Sequence, residues 1–157
     1  MTSEVVIRRT VPADIEAIAK LAGELVRQHH AVDSDRFFLP DRVEEGYAWW
    51  FRRELERDRA VLLTAERAGN VVGYSYGAVE DRDFNMLLDA HGAIHDVFVR
   101  EGERGGGVGQ RLVEAMLAEL TARGAPRVVL STMVKNEAAQ RVFARCGFRP
   151  TMLEMTR

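Results

Sequence analysis

The chain has 157 residues, 46% hydrophobic and 29% charged, which is enough to bury a core and reads as a single domain over 1–157. With 22 Lys and Arg against 24 Asp and Glu the formal net charge is −2, so there is no broad electrostatic case for binding nucleic acid. No apolar run approaches the ~20 residues that cross a bilayer, the opening "MTSEVVIRRT" has no secretory core, and the lone Cys146 excludes an internal disulfide and a cysteine-based zinc cluster; the expectation is a cytoplasmic protein with neither a membrane nor a nucleic-acid partner.

Residues 4–10, "EVVIRRT", read as a first strand. Pro12 and Asp14 open a helix with Ile15, Ile18, Ala22, Leu25 and Val26 at helical spacing. Residues 29–40 read as a loop, and Val43, Tyr47, Trp50, Phe51 and Leu55 mark a second amphipathic helix. Strands over 60–67 and 71–79 flank the turn "AGN" and form a hairpin. A polar connection over 80–92 leads to a strand over 93–99. Val108, Leu112, Val113, Met116, Leu117 and Leu120 give the next helix one apolar face, with Gly124 at its C-terminal cap. Residues 127–134 read as a buried strand. Asn136 caps a short helix carrying Ala139, Val142, Phe143 and Cys146 and stopped by Gly147, and the last residues, "FRPTMLEMTR", have strand character. The order β-α-α-β-β-β-α-β-α-β defines an α/β (mixed α+β) fold.

Gly105, Gly106, Gly107 and Gly109 crowd in just before a strongly periodic helix, although glycine is a poor helix starter. Such a loop lets backbone N–H groups approach a bulky anion. A Walker loop requires Lys-Ser/Thr where Gln110-Arg111 follow, and a dinucleotide fingerprint requires a third glycine where Gln110 stands. A merely flexible turn is the bland alternative. The run Arg104-Gly105-Gly106-Gly107-Val108-Gly109 resembles the hallmark of the GNAT superfamily of acyl-CoA-dependent N-acyltransferases, Gln/Arg-x-x-Gly-x-Gly/Ala between the fourth strand and the next helix. Downstream, Asn136, Ala139, Val142, Gly147 and Phe148 match a second block of that family. The element order follows the family fold over essentially the whole chain.

The resemblance implies a central mixed, mostly antiparallel sheet with a splayed fourth and fifth strand, flanked by helices. It implies acetyl-CoA as co-substrate. The pyrophosphate would meet Arg104, Gly105, Gly106, Gly107, Val108, Gly109 and Gln110, where an anion nest and a helix N-terminus coincide. The pantetheine arm would lie along the backbone of Val97, Phe98 and Val99, one N–H of which would face the thioester oxygen. Asn136 is a candidate contact to that arm as well as a cap, and Arg104 is either a phosphate ligand or a solvated loop residue. The family's frequent general acid is a tyrosine, and Phe143 occupies that position in the cofactor site.

Taking the proton from an amine is the larger chemical problem. A thiol near pKa ~8.5 leaves as thiolate at pH 7 for only about 2 kcal/mol, whereas an alkylamine near ~10.4 is neutral in roughly 0.04% of molecules. The fourth strand offers two base candidates, His95 and Asp96, which regular alternation places on opposite faces. An imidazole suits proton transfer near neutral pH; a carboxylate needs burial or a bridging water. The family's alternative glutamate on the fifth strand corresponds to Ser131. Cys146 continues an apolar stripe and reads as packing rather than a nucleophile. His29 and His30 are adjacent, His91 and His95 stand apart, and no ligand spacing recurs, so no metal is expected.

Acidic residues are in excess both over 33–45 (Asp33, Asp35, Asp41, Glu44 and Glu45 against Arg36 and Arg42) and over 80–91 (Glu80, Asp81, Asp83 and Asp89 against Arg82). An acidic cleft mouth would favour a cationic amine; ordinary solvated loops are the alternative. The expected activity is transfer of acetyl to a primary amine of a small, cationic molecule or of a protein, by direct attack in a ternary complex. A catalytically weak or inactive CoA-binding sensor is the rival, with Phe143 in its favour, and a homodimer is left open.

Overall fold

The computed structural model describes residues 3–157. Five strands form one sheet in the order β1-β2-β3-β4-β5: β1 (Val5–Arg9), β2 (Ala60–Arg67), β3 (Asn70–Glu80), β4 (His91–Val99) and β5 (Val128–Leu130). The first three junctions are antiparallel, and β5 joins β4 in parallel. Two helices, α1 (Ile15–Val32) and α2 (Val43–Glu54), separate β1 from β2; α3 (Val108–Ala122) separates β4 from β5, and α4 (Glu137–Arg145) follows β5.

Both faces of the sheet are covered, and β2 shows why its sequence is almost uniformly apolar. Val61, Leu63 and Ala65 pack with Leu112, Val113, Met116 and Leu120 of α3. Ala60 and Leu62 face the other way, onto Ile15, Ile18, Ala22 and Phe51 of α1 and α2. A strand buried on two faces has no polar side to alternate with. The α3 stripe is fully buried, Leu112, Val113, Met116 and Leu120 each being 0% exposed. That anchorage fixes the helix whose first turn follows the glycine loop.

Register decides where the sheet opens. Tyr76 pairs with Asp96 but Gly77 pairs with Ile94, so His95 is an extra residue in β4, a β-bulge. Parallel pairing with β5 covers only Gly92, Ala93 and Ile94 and ends at Leu130. Beyond that point β4 and β5 part. Gly77 sits beside the bulge, and a Cβ there would lie 2.7 Å from the Ala93 carbonyl and 2.9 Å from the Met116 sulfur.

Four local expectations change. The strand expected over 127–134 is three residues long, because its pairing stops at Leu130. The chain end forms no strand: Pro150 lacks an N–H, and no ladder runs beside the tail. Helix α1 runs on through His29 and His30 to Val32, where the Asp33 N–H closes on the His29 carbonyl, and β4 starts at His91 rather than residue 93.

Gly77→Ala is expected to cost about 1–3 kcal/mol, the usual range for overpacking a filled core. Urea unfolding measures it; an unchanged midpoint would show that the sheet has slack at the bulge.

Candidate active site

The bulge reorients the two base candidates. Ile94 and Val97 both pack into the α3-side core, so the two residues between them turn together to the opposite face. His95 stacks on the Tyr76 ring at 5.5 Å, and the Asp96 carboxylate accepts a 2.8 Å hydrogen bond from the Tyr74 hydroxyl. Tyr74 and Tyr76 belong to the core under α1 and α2. The expectation of opposite faces therefore fails, because it assumed unbroken alternation. Ser75, fully buried, holds the bulge backbone by donating its hydroxyl to the Asp96 carbonyl at 2.9 Å.

Asp96 is half-buried, and loss of water raises its carboxyl above the usual carboxylate range, an effect the Tyr74 hydroxyl partly offsets. Burial, with the Asp96 charge adding to it, pushes the Tyr47 phenol up to about 12. Tyr74 is raised well above its ordinary value by burial first and by Asp96 second. Both phenols stay protonated at neutral pH, and Tyr74 donates to the carboxylate. The other candidate is tied differently. His95 Nε2 lies 2.6 Å from Glu80 Oε1, and a carboxylate only accepts. Nε2 is therefore the protonated atom, and Nδ1 is left as the acceptor.

Two hollows meet beside these residues. A narrow slot of about 80 Å³ opens where β4 and β5 part, lined among others by Ile94, Val97, Leu130, Asn136 and Phe143. A larger cavity of about 440 Å³ lies between α1, α2 and the loop joining them, with Phe37, Val43, Tyr47 and Trp50 in its wall. Leu25 and His29 line both. His29 Nδ1 lies 2.8 Å from the Leu25 carbonyl, so it is Nδ1 that carries the proton, and the ring meets Phe37 edge-on at 5.0 Å. The sequence reading passed over His29 because it placed residue 29 in a loop. It passed over Tyr74 because its contact with Asp96 depends on the register of β3 against β4.

After β4, Gly107 caps α3 with φ +82, and Gly105 has φ +87. Both are left-handed values that favour glycine. The first intrahelical bond is donated by Arg111 to the Gly107 carbonyl, and no side chain caps this end. The N–H groups of Val108, Gly109 and Gln110 thus point out of the helix start. A Cβ built at Gly105, Gly106 or Gly107 would meet nothing within 4 Å, so the glycines relieve no internal crowding and keep the approach to those N–H groups clear. Charge and open backbone donors together suit a phosphate group.

The side chains around this loop serve the fold. Arg104 turns away from the helix start: Nε donates to the Val99 carbonyl at 2.7 Å and the guanidinium lies over Phe98 at 5.1 Å. The Phe98 and Val108 side chains are buried in the core, which leaves their backbone to any ligand. Gln110 donates to Glu114 and accepts from Arg145, tying α3 to α4. Asn136 Oδ1 accepts from the Ala139 N–H at 3.1 Å as the α4 cap, while its side chain still borders the slot. Cys146 packs against the core with Phe143 and Phe148, and burial raises its thiol.

Four carboxylates of the acidic segments are paired with arginines. Arg27 pairs with Glu44, Arg42 with Glu45, Arg59 with Asp81 and Arg82 with Asp89. Of these two segments' carboxylates, only Asp41 borders the larger cavity.

This architecture is that of known proteins. A family model described as "Acetyltransferase (GNAT) family" matches residues 24–148, and the chain belongs to that family. It is 30% identical to a mycothiol acetyltransferase of Streptomyces avermitilis over 92% of its own length but only 42% of that protein's. It is 31% identical to an L-methionine sulfoximine/L-methionine sulfone acetyltransferase of Pseudomonas aeruginosa, over 90% of this chain and 78% of that one. An aminoglycoside N-acetyltransferase solved in complex with CoA shares the fold with a TM-score of 0.81 at 18% identity, over 99% of this chain and 94% of that one. Among the described residues no helix is long and apolar enough to cross a membrane.

Asp96→Asn keeps an acceptor for Tyr74 and removes the buried charge. Because the folded state raises this carboxyl, the wild-type protein loses stability as pH rises from the unfolded aspartate range, near ~3.9, through the folded value. The variant is expected to melt higher than wild type at pH 7–8 and level with it below about pH 4. Melting scans across pH check this; a lower melting temperature at neutral pH would show that the charge itself holds the bulge.

Proposed function

We propose that the chain transfers acetyl from acetyl-CoA to a primary amine of a small molecule, by direct attack in a ternary complex. The observation that carries this is the junction at Leu25 and His29, where the slot left by β4 and β5 meets a separate cavity, with the Asp96 carboxylate on the adjoining face of β4. The family, and the CoA in the aminoglycoside enzyme's structure, support acetyl-CoA as the occupant of the slot. The residues fit such a ligand: an unpaired strand edge beyond Ile94, and open glycines with free helix-start N–H groups in the loop that follows the same strand.

When bound, acetyl-CoA supplies an activated thioester. The protein's part is to hold the amine at the junction and take its proton. Asp96 is the base this reading favours. It faces the α1/α2 side, and its burial raises a carboxyl toward the operating pH, which improves a carboxylate as a base. His95 is the second candidate, acting through Nδ1. Phe143 borders the slot without a hydroxyl. The leaving thiolate then takes its proton from water, at the small cost that a thiol carries near neutral pH. The walled cavity favours a small-molecule acceptor over a protein amine.

Two measurements test this. Gly106→Val places its side chain in open space at a residue whose φ is not left-handed, so the fold should persist while CoA binding weakens more than tenfold, or ~1.4 kcal/mol; unchanged affinity by calorimetry would remove the loop from the site. In assays of thiol release with a panel of primary amines, Asp96→Asn is expected to lower kcat/KM by roughly 10²-fold, His95→Gln by less, and Cys146→Ala hardly at all. CoA binding without thiol release for any amine would leave a CoA-binding protein in place of an enzyme.

A further inference from the structure

We infer that the acceptor joins its primary amine to an apolar body about the size of a phenyl ring or a short alkyl chain, held in the cavity between α1 and α2. This rests on the acetyl-transfer reading and names the class of substrate that reading leaves open.

The cavity, at about 440 Å³, is in the range of small-molecule sites. Its wall is carbon: Phe37, Phe38, Pro40, Val43, Tyr47 and Trp50. Much of that carbon faces water, Phe38 being 79% exposed, and an apolar body would cover it. Most charged groups nearby are already engaged; Asp41 is the carboxylate left on the cavity wall. Arg36 donates from two nitrogens to Glu154, and Arg42 is paired with Glu45. Asp33 receives the Arg36 backbone N–H, and Glu44 is held by Arg27. Free polar capacity comes down to Asp41 and to the inner end, where His29 borders the slot. A polycation or a polyhydroxylated sugar would strip water from many polar groups and set them against rings, which costs free energy at each unpaired group. A single amine on an apolar body matches the wall and keeps its one polar group for the junction. Over 33–45 the ion pairs at Glu44 and Glu45 leave Asp41 as the one carboxylate on the cavity wall, a match for a single amine rather than for a polycation.

Gly46 provides a specific test. It borders the cavity from α2, and a Cβ there would meet nothing within 4 Å. Gly46→Leu should fold, with a better helix former at that position, and fill the space the acceptor's body needs. With acetyl-CoA fixed, kcat/KM is measured for methylamine, butylamine, hexylamine, phenethylamine, spermidine and a 2-deoxystreptamine aminoglycoside. Each buried methylene is expected to raise kcat/KM about fourfold until the cavity is full, with phenethylamine at least tenfold above spermidine and the aminoglycoside. Gly46→Leu should flatten that series and leave CoA affinity unchanged. A flat wild-type series, or spermidine or the aminoglycoside as the best acceptor, overturns the inference. Calorimetry of the same amines on the CoA-bound protein gives the ranking without chemistry. A retained ranking with no turnover counts against acetyl transfer alone; a lost ranking counts against the apolar acceptor.

Discussion

The site depends on one extra residue in one strand. His95 has no counterpart on β3, where Tyr76 and Gly77 are consecutive but their partners are Asp96 and Ile94. A bulge bends its strand and increases the local twist. Here it coincides with the point where β5 leaves the sheet. The bend opens the slot on one edge of β4 and turns two polar side chains onto one face. Neither result follows without the other, because a regular strand would keep β5 alongside and send Asp96 and His95 to opposite sides.

The bulge is held from three directions. Ser75 fixes the Asp96 carbonyl, Tyr74 fixes its carboxylate and Tyr76 stacks on His95. The missing Cβ of Gly77 lets the Ala93 carbonyl and Met116 close in beside it. Packing then carries this geometry to the glycine loop. The strand face opposite Asp96 lies on α3, whose fully buried stripe sets the position of its own N-terminus. Slot, Asp96 carboxylate and glycine turn are thus positioned by the same layer contact. The second layer, α1 and α2, contributes the larger cavity and shares Leu25 and His29 with the slot.

Much of this was legible in the sequence, for identifiable reasons. Helical spacing found α1, α2, α3 and α4, since each turns one apolar stripe inward, that of α4 only partly buried. The glycine run marked its loop, since left-handed φ at Gly105 and Gly107 is a backbone demand that residue type reveals. Asp96 and His95 were named because strand chemistry is visible in side-chain identity. Their common face was not, since a bulge is set by register with a partner strand 20 residues away in sequence, and alternation says nothing of it. The roles of Tyr74 and Ser75 were hidden for the same reason. The tail misled because apolar Met152, Leu153 and Met155 resemble a strand, yet they stand exposed with no ladder to join. Arg104 is a different case: its motif position offered either a phosphate ligand or a solvated loop residue, and its Nε donates to the Val99 carbonyl at the end of β4.

The acidic residues show how far a charge count is from a field. Glu44, Asp81 and Asp89 each carry an arginine partner, and in each case that hydrogen bond is the first cause holding the carboxyl below its ordinary value. Such groups stay ionised and are poor proton acceptors. Asp96 has a phenol for a partner and carbon around it, and its carboxyl moves the other way. Carboxylates of one chemical type are therefore separated by environment into structural anions on the rim and one group suited to exchanging a proton inside. The count over 33–45 and 80–91 measured the first kind. Asp96 lies outside both segments, on the strand where the bulge turns it toward the layer that walls the larger cavity.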